Sequence, residues 1–102
     1  MEEKRTAYTV GGKKLGDRNI CGHKIRQARH IPKIPIKQEE LAVKIQEMGC
    51  SDMTKAIISR IERGERPVID AELVIFARAL GVSLDWLTED FNPLTDLQMV
   101  DI

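Results

Sequence analysis

Residues 38–64, QEELAVKIQEMGCSDMTKAIISRIERG, decide how this chain folds. The stretch holds two runs of helical periodicity with a break between them. In the first, Leu41, Ala42, Ile45 and Met48 recur at the spacing of one helix face, and Gly49 suits the position just past a helix end. In the second, Thr54 is a good N-cap, Ile58 and Ile61 point to one side, and Gly64 stops the run. The spacing predicts helices over about 38–48 and 55–63, joined by a loop at Cys50–Met53. Lys37 is a poor N-cap for the first of these, and Glu39 and Glu40 compensate through the helix dipole.

On the N-terminal side, a helix is expected from about Ile20 to His30, capped by Asn19, with Cys21, Ile25, Ala28 and Arg29 on one face. Pro32 and Pro35 in IPKIP end it and impose an extended connection. On the C-terminal side, Asp70 is expected to cap a fourth helix whose buried stripe is Leu73, Phe76, Ala77 and Leu80, ended by Gly81. Ser83 caps a short fifth helix, Leu84–Thr88, with Leu84 and Leu87 toward the core. Residues 1–18, with Gly11-Gly12 and Gly16 and no apolar period, read as a flexible basic arm. In residues 91–102, Asn92-Pro93 suits a helix start and Leu94, Leu97 and Val100 recur every three residues. A tail is favoured there over a short sixth helix. The fold class is therefore all-α, a compact bundle of five helices over 19–90.

The chain has 102 residues, 42% of them hydrophobic and only 4% aromatic, which fits one domain with an aliphatic core. It shows no long apolar run and no N-terminal apolar segment, so the expectation is a protein neither membrane-spanning nor secreted. Cys21 and Cys50 are too few for a disulfide framework and suit a reducing cytoplasm. The net charge is zero, but residues 1–36 carry nine Lys/Arg and three Asp/Glu, and residues 67–102 carry one Arg and seven acids. Such polarity points to an anionic partner for the basic half, although solvated faces sorted by chance give the same totals.

Four segments, NICGHKIRQAR, QEELA, IISRIERGERP and ELVIFARALGVSLDWL, stand in order over residues 19–89. Together they resemble the Cro/repressor-like helix-turn-helix family, often called the XRE family. The resemblance implies a lambda-repressor-like domain whose helix 55–63 enters the major groove of DNA. Physically, such a helix packs one face on its own domain and offers the other to the groove. Lys55, Ala56, Ser59, Arg60 and Arg63 lie off the isoleucine face. Family members touch bases with the first, second and sixth residues of this helix, which implies that Lys55, Ala56 and Arg60 read bases, with Ser59 beside them. Ile57 either meets a thymine methyl or packs on the second helix.

Gln38 resembles the family's phosphate-contacting glutamine at a helix N-terminus. Thr54, Arg63, Arg66 and Lys33 are further candidates for phosphate contact. In the family, the residues matching Arg29 and Glu62 form a partly buried structural ion pair. The path from Arg29 to Gln38 is about two residues longer than in compact members, and the stretch from Ala42 to Thr54 about six, which lengthens the second helix and enlarges the turn.

No cofactor and no enzymatic centre are expected. Cys21, His23 and His30 lack zinc-like spacing and a fourth ligand, so no metal site is expected. GGKKLG lacks the spacing of a phosphate-binding loop. The expected function is a sequence-specific transcriptional regulator, a repressor acting as a homodimer on double-stranded operator DNA in a bacterial or phage-infected cytoplasm. Phe91, Leu94, Leu97 and Val100, with Trp86, are candidates to extend the dimer interface. The alternative is a protein-interaction module, an antitoxin or partner-regulated repressor, whose acidic C-terminal tail binds another protein.

Overall fold

The computed structural model describes residues 19–92 and Leu94, and the backbone of three strands, Lys4–Val10, Lys13–Asp17 and Leu97–Asp101. Residues 19–90 form an all-α body of five helices: α1 (Gly22–Arg29), α2 (Gln38–Glu47), α3 (Lys55–Glu62), α4 (Asp70–Leu80) and α5 (Leu84–Thr88). Each lies where the apolar spacing put it, to within two residues at either end.

One aliphatic core joins them. Ile25 of α1, Leu41 and Ile45 of α2, Ile58 and Ile61 of α3, Phe76 of α4 and Leu87 of α5 are all fully buried, together with Met53 of the α2–α3 loop. Burying a side chain of this kind stabilises by roughly 1.5–3 kcal/mol, which is what holds such short helices in place. Two residues expected inside are not: Met48 and Leu84 are more than two-fifths exposed. Both sit at the first or last turn of their helices, where the chain has begun to leave the packed face.

The helix ends follow capping chemistry. Thr54 Oγ1 accepts the Ile57 N–H at 3.3 Å, and Ser83 Oγ accepts the Trp86 N–H at 3.0 Å. Gly81 ends α4 with φ of +69°, a left-handed conformation that residues with a Cβ rarely adopt. The expected cap of α4 is corrected: Asp70 is already helical, and Glu72 reaches back to accept the Ile69 N–H at 3.2 Å. A carboxylate at the third helical position thus performs the capping from inside the helix.

Asn19 does more than start α1. Its Oδ1 accepts the N–H groups of Cys21 and Gly22 at 3.2 and 2.9 Å, while its Nδ2 donates to the carbonyls of Ile61 and Arg66 at 2.8 and 3.0 Å. The side chain is buried, so one amide satisfies two N–H groups at the head of α1, one carbonyl at the end of α3 and one in the α3–α4 connection. Gly22 is part of the same junction. A Cβ there would overlap the Ile61 carbonyl oxygen, so only glycine lets α1 approach α3 this closely.

At its outer side α1 is tied to the end of α5. Lys24, 4% exposed, lies over the Trp86 ring at 3.8 Å and gives its ammonium to Glu89 at 2.7 Å. His23 Nε2 meets Asp90 Oδ2 at 2.9 Å. The ring face and the carboxylate together replace contacts with water that burial removes from the amine.

The two ends of the chain depart from expectation. The segment read as an arm carries β1 (Lys4–Val10) and β2 (Lys13–Asp17), and the segment read as a tail or short helix carries β3 (Leu97–Asp101). They form an antiparallel sheet in the order β2-β1-β3, with Val10 opposite Lys13 and Tyr8 opposite Leu97. Two residues, Gly11-Gly12, separate the partners Val10 and Lys13, which is the sequence signature of a tight hairpin. The strand at the other end owes its state to a partner some ninety residues away, which local periodicity does not register.

The Asn19 junction is open to test. Asn19→Ala is expected to lower unfolding free energy by about 2–3 kcal/mol, because it leaves buried polar groups unpaired on both helices. Urea unfolding measures this, and a loss below about 0.5 kcal/mol would remove the junction from the account of stability.

Candidate nucleic-acid interface

The outward surface of α3 is set by the two isoleucines behind it. With Ile58 and Ile61 fully buried, Lys55, Ala56, Arg60 and Arg63 are exposed and Ser59 is half-buried. Ile57 is half-buried against the core, so of its two expected places it takes the protein's own body. The helix therefore presents two small residues, Ala56 and Ser59, between the long cationic side chains of Lys55 and Arg60. A low, basic ridge of this form can approach a groove closely and reach the guanine edge, where Arg and Lys are the commonest partners.

The cations are not equivalent. Lys55 Nζ lies 2.9 Å from Glu39 Oε1, an exposed pair across the α2–α3 turn that holds the Glu39 carboxyl below its ordinary range. Arg63 donates to Glu65 at 3.1 and 3.0 Å and to Ser59 Oγ. Arg60 forms no side-chain hydrogen bond or ion pair among the described residues. Lys33 lies exposed in the α1–α2 connection.

Behind this surface lies a polar anchor. Arg29 donates Nε and Nη2 to the two oxygens of Glu62, both at 2.7 Å, and Nη1 to the Ile36 carbonyl at 3.0 Å. Both side chains are almost fully buried, at 10% and 4% exposure. Gln38, at the head of α2, donates Nε2 to Glu62 Oε1 at 3.1 Å. One carboxylate on α3 thus fixes a residue of α1 and the first residue of α2. The second Nε2 hydrogen of Gln38 is left for an outside acceptor. Gln38 also stands where the free N–H groups of α2 emerge, a place suited to a phosphate oxygen.

Two expected phosphate contacts take structural duties. Thr54 is the α3 cap, with its hydroxyl oxygen turned to Ile57. Arg66 forms a double hydrogen bond with Glu72 at 2.9 and 3.0 Å, and its guanidinium is committed to α4. Burial opposes charge on Glu72, but the hydrogen bonds from Arg66 and the Ile69 N–H, and the charge of Arg66, outweigh it and hold the carboxyl below its ordinary value of 4.5. Cys21, set among the core side chains, is pushed up to about 12 by burial and carries no thiolate at neutral pH.

One cation on this face was not singled out by sequence reasoning. Arg26 of α1 is exposed and lines a cleft of about 250 Å³ together with Arg29, Gln38, Ser59, Glu62 and Arg63. Its signal was available in its spacing, three residues before Arg29 and so on the same side of α1. Among the described residues no group of three or more His, Cys, Asp or Glu side chains stands close enough to hold a metal ion, and no helix is long and apolar enough to cross a membrane.

Comparison with known proteins agrees with this geometry. A family model described as helix-turn-helix matches residues 25–87, from within α1 to within α5. No curated protein and no solved structure matches the chain.

Two measurements check the anchors. Glu62→Ala strands the buried Arg29 charge and is expected to cost about 3–5 kcal/mol of stability, whereas Arg29→Met with Glu62→Leu recovers most of it; equal losses for the single and double variants would contradict the pair's burial. For Glu72, a depressed carboxyl contributes stability that is complete above its ordinary value of 4.5 and is lost as pH falls through the lower folded value. Glu72→Gln should accordingly narrow its deficit relative to the parent protein as melting scans move from neutral pH to below pH 4, and a deficit independent of pH would refute the assignment.

Proposed function

The chain belongs to the Cro/repressor-like helix-turn-helix family and is a DNA-binding transcriptional regulator, and from that membership we propose that it is a repressor reading one operator half-site with α3. The observation that carries this reading is the surface of α3, where buried Ile58 and Ile61 turn Lys55, Ala56, Ser59 and Arg60 outward as one row. Arg60 is the principal base reader, since its guanidinium makes no hydrogen bond or ion pair among the described residues and matches the paired O6 and N7 acceptors of guanine. Lys55 reaches a base or phosphate by exchanging Glu39 for DNA, and because both groups are exposed the exchange costs little. Ala56 and Ser59 keep the middle of the helix low.

Gln38 and the N-terminus of α2 hold the phosphate backbone beside the groove, with Arg63 and Lys33 adding charge at the flanks. These contacts position the protein without reading sequence. Occupation of an operator is by itself sufficient to block a promoter, which is the simplest regulatory outcome for such a domain. A homodimer places two α3 helices about 34 Å apart on successive turns of a palindromic site. The alternative of a protein-binding tail is less well supported, because β3 is already paired to β1 along Leu97–Asp101.

The decisive experiment selects bound duplexes from a random library, then titrates a recovered site and its scrambled counterpart. Arg60→Ala is expected to weaken the recovered site by about 1–3 kcal/mol and to relax preference at one base pair, while Gln38→Ala weakens both duplexes alike. Equal losses on both duplexes for Arg60→Ala would remove Arg60 from base reading, and recovery of no consensus would remove sequence-specific recognition altogether.

A further inference from the structure

Arg26 is unexplained by the fold. It lies on α1, outside the two helices of the helix-turn-helix, and its side chain makes no hydrogen bond or ion pair with any described residue. It is nonetheless surrounded by committed groups. Within its cleft, the charge of Arg29 is cancelled by Glu62, and the Arg63 guanidinium is held by Glu65. Among the described residues that line the cleft, Arg26 is thus the cation without an ion-pair partner. Gln38 lines the same cleft, with one Nε2 hydrogen given to Glu62 and no acceptor for the other among the described residues.

We propose that Arg26 is a DNA phosphate contact, and that it and Gln38 form the two sides of a seat for one backbone phosphodiester. The inference rests on the DNA-binding reading above and adds α1 to the surface that meets DNA. The chemistry favours a phosphodiester over a base edge. The cleft is a recess of about 250 Å³ lined by residues of α1, α3 and the head of α2, and Lys55, Ala56 and Arg60 are not among them. A guanidinium on one side and an amide N–H on the other suit a singly charged tetrahedral anion, whose non-bridging oxygens accept from both.

The Arg29–Glu62 pair gives the seat its form. Were Arg29 unpaired, it would compete for the same anion and draw it to the cleft floor. Bound to both Glu62 oxygens, Arg29 instead fixes Glu62, and Glu62 fixes the Gln38 amide. Arg26 on the neighbouring turn of α1 is then the charge that an approaching phosphate meets. Arg26 also borders a second recess, of about 440 Å³, lined by His23, Gln27 and His30 of α1 and by Glu62. Arg26 is therefore exposed and shared by two recesses.

The test measures binding of the full chain to a library-selected duplex and to a scrambled duplex over a series of salt concentrations, for the parent, Arg26→Gln and Arg26→Lys. Circular dichroism confirms that these exposed-site variants are folded. Arg26→Gln is expected to weaken both duplexes equally and to make the slope of log affinity against log salt shallower by about one contact, or roughly threefold less affinity lost between about 50 and 200 mM salt. Arg26→Lys keeps the charge and is expected to keep most of the slope. If the parent binds with its normal slope and Arg26→Gln leaves that slope unchanged, the phosphate seat is overturned while the regulator reading stands. If the parent binds neither duplex, both fall together.

Discussion

An eight-residue helix with two buried isoleucines has little stability of its own, since isolated helices of this length are marginal in water. The proposed reading of DNA depends on α3 being held rigidly from behind while its outer surface stays open. The Arg29–Glu62 pair meets that requirement. It is bidentate, nearly dry, and sits where α1, α2 and α3 converge. A buried ion pair adds little net stability compared with an apolar substitute. Its value is directional: the guanidinium and carboxylate planes admit one arrangement, and Gln38 is drawn into it. The Asn19 amide performs the same service at the other end, binding the carbonyls of Ile61 and Arg66.

The distribution of charge follows from this scaffold. A chain of zero net charge binds a polyanion only if its cations face one way and its anions either face another way or are spent internally. The second device operates here. Glu62, Glu72 and Glu89 are spent on Arg29, Arg66 and Lys24 within the protein. Glu39 and Glu65 lie beside the outer row of α3, paired with Lys55 and Arg63 in exposed contacts that cost little to exchange for another anion. Arg60 and Arg26 are exposed and form no ion pair among the described residues, so on the proposed reading they are among the charges that DNA meets first.

Much of this was legible in the primary structure. The five helices follow from apolar spacing and from caps at Thr54, Ser83 and Gly81, because those signals act within a few residues of where they stand. The outward row of α3 follows from the same spacing, since placing Ile58 and Ile61 inward leaves Lys55, Ala56 and Arg60 only one direction to face. The terminal sheet was not legible in this way. Val10-Gly11-Gly12-Lys13 carries a hairpin signal, but the pairing of β1 with β3 joins opposite ends of the chain, and a three-residue apolar recurrence at Leu94, Leu97 and Val100 argued for a different structure.

The amino-acid order by itself determined which segments are helical, which face of each is apolar, and that a helix-turn-helix lies at the centre. Those properties are local, governed by neighbours three or four positions away. Only the tertiary structure decided which cations are free. Arg66 and Arg60 look alike in the sequence, yet one is locked to Glu72 on α4 and the other is open to solvent; Arg26 is neglected in a linear reading and stands at the mouth of a cleft. The reason is that a charged side chain acquires its role from whatever carboxylate the folded chain brings within hydrogen-bonding reach, and that partner is fixed by packing between elements far apart along the backbone.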